Sequence, residues 1–359
     1  MLDRPHHGGN LGWAADIADC PAFSLVDFSA SINPLGPPPN VLTAIQTAFS
    51  ALSHYPDPEY RPLRQAIAAY HNLDVDWVLP GNGSAELLTL AGRTFASLKD
   101  TNLVTPAFGD YGRSWCGSGA RLNVMPWTVG NPWPWQSLHT EAKENRGLIL
   151  NNPHNPSGVL LSRQNILKLL PVYRWVLIDE AFMDFLPPSE QQSLIADLPK
   201  FSNLIILRSL TKFYSLPGLR IGYALAHPNI LNQWQQWRDP WPVNVLAEAA
   251  AIASFQSTSF QTETWQWLPQ ERETLFQQLG HLPGLTPIPS AANFLLVKTA
   301  FSATQLQLTL LKTARIVIRD CLSFPELGDR FFRVAVRSRA ENQQLVRALQ
   351  YVLCPKKHP

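Results

Sequence analysis

The sequence predicts an α/β fold: a large domain built on a mainly parallel sheet, followed by a smaller α+β domain. Three observations carry that expectation. Apolar runs at 147–150, 175–178 and 204–207 each end in polar residues. They alternate with helical patterning, as at 163–170, in the way of parallel strands joined by crossovers. After residue 255 the pattern changes to short strands set between amphipathic helices. The division expected is an amino-terminal arm at 1–36 that joins the smaller domain, a large domain at 37–255 and a small carboxy-terminal domain at 256–359. With 359 residues, 45% hydrophobic and 16% charged, the chain can bury an ample core. Its net charge of +2 speaks against a protein that coats nucleic acid and points to small-molecule partners. Cys20, Cys116, Cys321 and Cys354 lack metal-ligand spacing and suggest free thiols in a reducing compartment. The first ten residues lack the apolar core of a secretory signal, and no apolar run approaches membrane-spanning length. A cytoplasmic protein with no metal, nucleic-acid or membrane partner is the expectation.

Along the chain, His7-Gly8-Gly9-Asn10 either folds tightly around an anion or is a loose tail. Residues 27–39 run from a short strand into a proline-rich connector. Helical spacing follows at 41–52 and 62–71, separated by the turn that carries Tyr55. Val78-Leu79 leads through Pro80-Gly81-Asn82-Gly83-Ser84-Ala85 into a leucine-rich helix. Such a helix start presents free N–H groups and a positive dipole end, so a phosphate fits at Gly83, Ser84 and Ala85, although any Gly-Ser cap looks similar. A strand at 102–105 ends in a loop with Phe108 and Tyr111, aromatics within reach of a flat ligand. Further on, 245–255 is a small-residue helix, and 269–279 is a helix with Pro269 at its tolerated first turn. Strands are expected at 293–297 and 316–319, with a helix at 305–313 between them. At 331–337 a strand of period two puts Phe332, Val334 and Val336 on one face and Arg333 with Arg337 on the other. Two guanidiniums on one face want anions, or else are a solvated face with counter-charges. Ser338 and Glu341 have the spacing of a capping box for a helix with the stripe Leu345, Leu349 and Val352.

The chemistry gathers on Ser209-Leu210-Thr211-Lys212, with Arg220 eight residues further on. A lysine that loses part of its charge becomes nucleophilic and can hold an aldehyde as a Schiff base. Ser209 and Arg220 offer the donors that suit a phosphate, so pyridoxal phosphate is the candidate cofactor; an ordinary loop lysine would look the same in isolation. Asp179, leaving an apolar strand, suits a protonated pyridine nitrogen, and Asn155 suits the phenolic oxygen. Taken alone, Asp179 also reads as a helix cap and Asn155 as a turn residue. Ligands of open α/β sheets collect at the carboxyl ends of strands, where all three polar clusters sit.

With these residues in place, the chain resembles the fold-type I pyridoxal-phosphate enzymes of the aspartate aminotransferase group over nearly its whole length. Within the group it resembles the L-threonine-O-3-phosphate decarboxylases of cobalamin biosynthesis first and the histidinol-phosphate aminotransferases second. The residues that carry this are His7-Gly8-Gly9-Asn10, the segment 27–36, Asp179-Glu180-Ala181-Phe182, the run 207–214 and Arg337. The resemblance implies Lys212 as the Schiff-base lysine, Asp179 at the pyridine nitrogen, Asn155 at the phenolic oxygen, Ser209 with Arg220 at the phosphate and Phe108 on the ring face. It implies that Tyr55 reaches the cofactor phosphate of a neighbouring subunit, hence a homodimer with shared sites. Arg333 matches the arginine that binds the carboxylate of a phosphorylated amino-acid substrate; His7, Arg319 and Arg337 are candidates for the substrate phosphate, and Ser31 is a candidate for a further substrate contact. Phe182 stands where the aminotransferases usually have tyrosine, which favours the lyase. Ser31 departs from the asparagine of the decarboxylase segment. Transamination by the same cofactor residues is the alternative. A non-catalytic cofactor-binding regulator would carry a DNA-binding appendage, for which the roughly forty residues before the large domain lack a basic recognition helix.

Overall fold

The apolar runs become strands covered on both faces, and their alternation shows how. The computed structural model of the chain describes residues 4–141 and 145–354. In chain order the strands are β1 (Val26–Asp27), β2 (Val78–Asn82), β3 (Asp100–Thr105), β4 (Leu122–Pro126), β5 (Arg146–Asn151), β6 (Trp175–Asp179), β7 (Leu204–Ser209), β8 (Ile221–Ala226), β9 (Leu285–Pro287), β10 (Phe294–Thr299), β11 (Ile316–Val317), β12 (Arg319–Asp320) and β13 (Phe331–Ala335). A seven-stranded sheet has the order β2-β8-β7-β6-β5-β3-β4. Strands β3 to β7 in it run parallel, and β8 is antiparallel to both of its neighbours. The segment 210–220 between β7 and β8 is too short for a crossover, so these two must pair as antiparallel neighbours.

Within β6, Val176 and Ile178 join one core and Leu177 the other, the period of two expected of a strand with both faces buried. The first core is covered by helices Pro39–Ala48, Arg61–His71 and Val245–Phe255, the second by Gly83–Phe95, Asp110–Gly117 and Pro228–Trp237. Each Leu or Ile buried in this way contributes about 1.5–3 kcal/mol.

The second sheet is antiparallel, in the order β12-β13-β10-β9, and β1 pairs with β11 in a parallel ribbon beside it. Helices Thr258–Gly280, Ala303–Ala314 and Arg339–Leu353 belong to this part. The last begins with the expected capping box: the Ser338 hydroxyl accepts from the Glu341 N–H, and the Glu341 carboxylate accepts from the Ser338 N–H. Leu345 and Leu349 are buried beneath it.

Several elements differ from the sequence expectation: the strand expected over 316–319 is divided at Ile318 into β11, which pairs with β1, and β12, which pairs with β13. The amino-terminal stretch is anchored: Asn10 caps a helix at Leu11–Ala18, and Trp13 and Ala14 pack on Leu311 and Val317. Helix Thr258–Gly280 passes straight through Pro269. Buried Phe260, Thr264 and Leu268 before the proline, and Leu275 and Leu279 after it, offset the roughly 3 kcal/mol that an interior proline costs. The helix expected over 163–170 stops at Leu167 and ends in a 3-10 turn, Leu170–Val172, where Pro171 lacks the N–H needed to continue it. Strand β13 ends at Ala335, because the chain turns there into the Ser338 cap; the period of two therefore does not reach Arg337. Among the described residues no helix is long and apolar enough to cross a membrane.

Candidate active site

Three neighbouring parallel strands end in the polar residues Asn151, Asp179 and Ser209. Because Asn151 and Asp179 are register partners on β5 and β6, they lie side by side at the carboxyl ends of two central strands. They open onto a cleft that also takes Thr211 and Lys212 from the short helix Leu210–Phe213 that follows β7, Arg220 from the position just before β8, Ser84 and Ala85 from the helix after β2, and Phe108 from the loop after β3. The opposite wall comes from the second sheet and the arm: His6, His7, Ser31, Arg319 and Arg333.

The Lys212 amine is drawn down to about 8, first by burial and then by the cations Arg333 and Arg220, with Asp179 pulling the other way. Asp179 itself is raised by burial. Against this, its Oδ2 accepts from the Tyr111 hydroxyl at 2.7 Å and its Oδ1 from the Ala181 N–H at 3.0 Å, and the charge of Lys212 helps in the same direction. Asn155 is fixed by its own N–H, which donates to Asn151 Oδ1 at 2.6 Å, and its side-chain oxygen accepts from Arg333.

One end of the cleft is built for a phosphate. Gly83 adopts a φ of +69°, which L side chains rarely take, and a Cβ added there would lie 2.6 Å from Arg220 Nη2, so the guanidinium would have to move aside. No side chain caps the helix that starts at Gly83, which leaves first-turn N–H groups facing that end. The Ser209 and Thr211 hydroxyls lie 2.7 Å apart beside it.

The other end is built for anions as well. Arg319 and Arg333 are register partners across β12 and β13, so their guanidiniums share one face. Like charges directly opposite each other are destabilising unless an anion lies between them or nearby. Burial, with the positive charge of Arg319 adding to it, lowers Arg333 to about 10. Arg333 Nε and Ser31 Oγ are buried without a hydrogen-bond partner, which is the condition of donors shaped for a ligand. Arg319 also donates to the backbone oxygens of Pro5 and His6 and to Ser323 Oγ, and in this way draws the arm over the cleft. His7 lies with its ring 5.7 Å from Phe108 and its Nε2 3.6 Å from Asp110. Phe182 lines the cleft with a hydrocarbon ring packed edge-on against Phe294 at 5.1 Å.

Lys212, Asp179, Asn155, Ser209, Arg220, Ser84, Ala85, Phe108, His7, Ser31, Arg319 and Arg333 are thus brought together, with Gly83 as the backing of the phosphate end. Arg337 is not part of the cleft wall. Its guanidinium is held by Glu341 at 2.6 Å and by the Asp27 carbonyl at 3.0 Å, because the strand that would have aligned it with Arg333 has already ended. Tyr55 lies outside this cleft too, 79% exposed, its ring tilted at 31° against that of Trp241 at 4.5 Å. The expectation passed over Thr211, for which the hydroxyl cluster around Ser209 was the available signal. It also passed over Asn151, the last residue of its strand.

Uncapped N–H groups, an arginine and two hydroxyls for a phosphate, a lysine of lowered pKa and a buried carboxylate match what pyridoxal phosphate requires. The family model for aminotransferase class I and II matches residues 24–349, and the chain belongs to that family. It is therefore a pyridoxal-phosphate enzyme. Along 97% of its length it is 37% identical to a threonine-phosphate decarboxylase of Salmonella typhimurium, 96% of which is covered. Over 98% of its length it is 29% identical to an adenosylcobalamin biosynthesis bifunctional protein of Leptospira interrogans, where the match spans 41% of that longer protein. The solved histidinol-phosphate aminotransferase of Clostridium acetobutylicum is similar in structure, with a TM-score of 0.85 and 29% identity, over 91% of this chain and 99% of that one.

Proposed function

We propose that the chain decarboxylates L-threonine O-3-phosphate to (R)-1-amino-2-propanol O-2-phosphate and CO2, for the nucleotide loop of cobalamin. The observation that carries this reading is the end-to-end similarity to a threonine-phosphate decarboxylase at 37% identity, and the paired guanidiniums of Arg319 and Arg333 agree with it. The substrate has two anionic groups, and the far end of the cleft offers two cations on one face.

Pyridoxal phosphate, bound at the near end, supplies an electron sink for a bond broken at the substrate Cα. Lys212 would hold it covalently at rest, Asp179 would keep its pyridine nitrogen protonated, Asn155 would serve its phenolic oxygen and Phe108 its ring. Ser209, Arg220 and the N–H groups from Gly83 to Ala85 would bind its phosphate. Arg333 takes the substrate carboxylate and so determines which Cα bond is set for cleavage. His7 and Arg319 take the substrate phosphate, and Ser31 contacts the substrate between them. The electron pair of the broken Cα–carboxylate bond ends in a new Cα–H bond and CO2 leaves; the proton comes from Lys212, whose amine is free once the substrate amine has taken its place on the aldehyde.

Phe182 lacks the phenol that would hydrogen-bond the cofactor oxygen in an aminotransferase, in keeping with a lyase. The active unit is a cytoplasmic homodimer in which Tyr55 reaches the cofactor phosphate of the neighbouring subunit. The test is an assay with and without 2-oxoglutarate. Threonine phosphate should give CO2 at the same rate in both, whereas amino transfer to 2-oxoglutarate from histidinol phosphate without CO2 release from threonine phosphate would establish the aminotransferase instead.

A further inference from the structure

Tyr111 does not line the cleft, yet it touches two groups that do. Its ring is 1% exposed, on the helix Asp110–Gly117 beneath the site. Its hydroxyl donates to Asp179 Oδ2 at 2.7 Å, and its ring meets that of Phe108 edge-on at 5.7 Å and 87°. With the Ala181 N–H on Oδ1, both oxygens of Asp179 are thereby oriented.

We propose that Tyr111 is a positioning residue that sets the electron-withdrawing power of the cofactor by keeping Asp179 ionised and aimed at the pyridine nitrogen. The proposal rests on the assignment of Asp179 to that nitrogen given above.

A carboxylate in a buried site needs stabilisation if it is to stay charged. A cationic partner would supply it but would also compete with the pyridinium for the same carboxylate. A phenol stabilises the anion with a charge-assisted hydrogen bond and adds no charge of its own. Tyr111 keeps its proton throughout, because burial first and the neighbouring Asp179 second push its ionisation well above the usual phenol range. The other groups acting on Asp179 are the Ala181 N–H and the Lys212 charge, and Asp110 lies on the tyrosine side. Without the phenol the carboxylate becomes the stronger base and draws the ring proton to itself. The ring then withdraws less, and the nitrogen that links it to Lys212 becomes more basic.

Tyr111→Phe keeps the ring and its packing on Phe108 and removes only the donor. Two readouts follow on the cofactor-loaded protein: the 15N chemical shift of a labelled pyridine nitrogen, and the midpoint pH of the change in visible absorption. In the variant the 15N signal should move toward the unprotonated position, and the midpoint should rise by roughly 0.5–1 pH unit, a change of about 3- to 10-fold in proton affinity. The kcat should fall while KM stays within about twofold, as for a group that acts on the chemical step rather than on binding. Asp179→Asn should move both readouts further in the same direction. Tyr111→Phe at wild-type values beside a displaced Asp179→Asn overturns the proposal. If Asp179→Asn leaves both unmoved, the assignment of Asp179 fails and the role of Tyr111 falls with it.

Discussion

The neighbourhood of Lys212 is costly for a cation. With the amine near 8, roughly a tenth of the population is neutral at pH 7, against about one in 3000 for a lysine at its ordinary value. The neutral amine attacks an aldehyde and the ammonium does not, so the rate at which the apoprotein takes up pyridoxal phosphate should rise with pH through about 8 and level off above it. Arg333 is one of the cations that lower this value, so Arg333→Met should move the midpoint upward, as read by stopped-flow absorbance. The same change should lower kcat/KM for threonine phosphate by about 30-fold or more, since removing one partner of a buried charge-assisted pair costs about 2 kcal/mol or more. A midpoint that stays in place or falls would count against Arg333 beside the lysine. At this scale the meeting of Lys212, Asp179, Asn155, Ser209 and Arg220 in one cleft was readable from sequence, since Asp179 and Ser209 end apolar strands and the other three lie in the segments that follow strand ends. The Tyr111–Asp179 bond and the Arg319–Arg333 pairing were not, because they join segments whose register only the fold determines. Arg337 was misplaced because periodicity alone does not say where a strand stops.

Among the elements, the turn from β2 into the helix Gly83–Phe95 carries the proposed phosphate end. Gly83 combines a positive φ with close approach to Arg220. Gly83→Ala should cost about 1–2 kcal/mol in a denaturant titration from the backbone alone. It should also weaken cofactor retention in equilibrium dialysis by about tenfold or more, since the added methyl displaces the guanidinium and one charge-assisted bond is worth about 1.5–3 kcal/mol. Loss of stability with cofactor affinity unchanged would remove Gly83 from the phosphate end. This turn was legible, because the glycine, the serine and the leucine pattern are all local. Pro269 was misread, because only the apolar residues buried on both sides of it show that packing carries the helix through.

At the scale of the whole molecule, the cleft is where two sheets and the amino-terminal arm face one another, and the arm is held there by Arg319. Alternation of strands and helices revealed the large sheet, but not the insertion of β8, which pairs antiparallel both with β7, joined to it by the segment 210–220, and with β2, far away in sequence. Exposed Tyr55 leads to a prediction about the assembly. Co-expressed Lys212→Ala and Tyr55→Ala chains should form hybrid dimers with one intact site and recover activity that neither variant shows alone; no recovery would place Tyr55 outside the partner's site. The most direct test of the account follows the carboxylate itself. L-Threonine O-3-phosphate labelled with 13C in its carboxyl group is incubated in D2O with the cofactor-loaded enzyme and no 2-oxo acid. The account predicts release of all the label as 13CO2 and one deuterium at the former Cα of aminopropanol phosphate. Label retained in a 2-oxo acid product, with the amino group left on the cofactor, would contradict it.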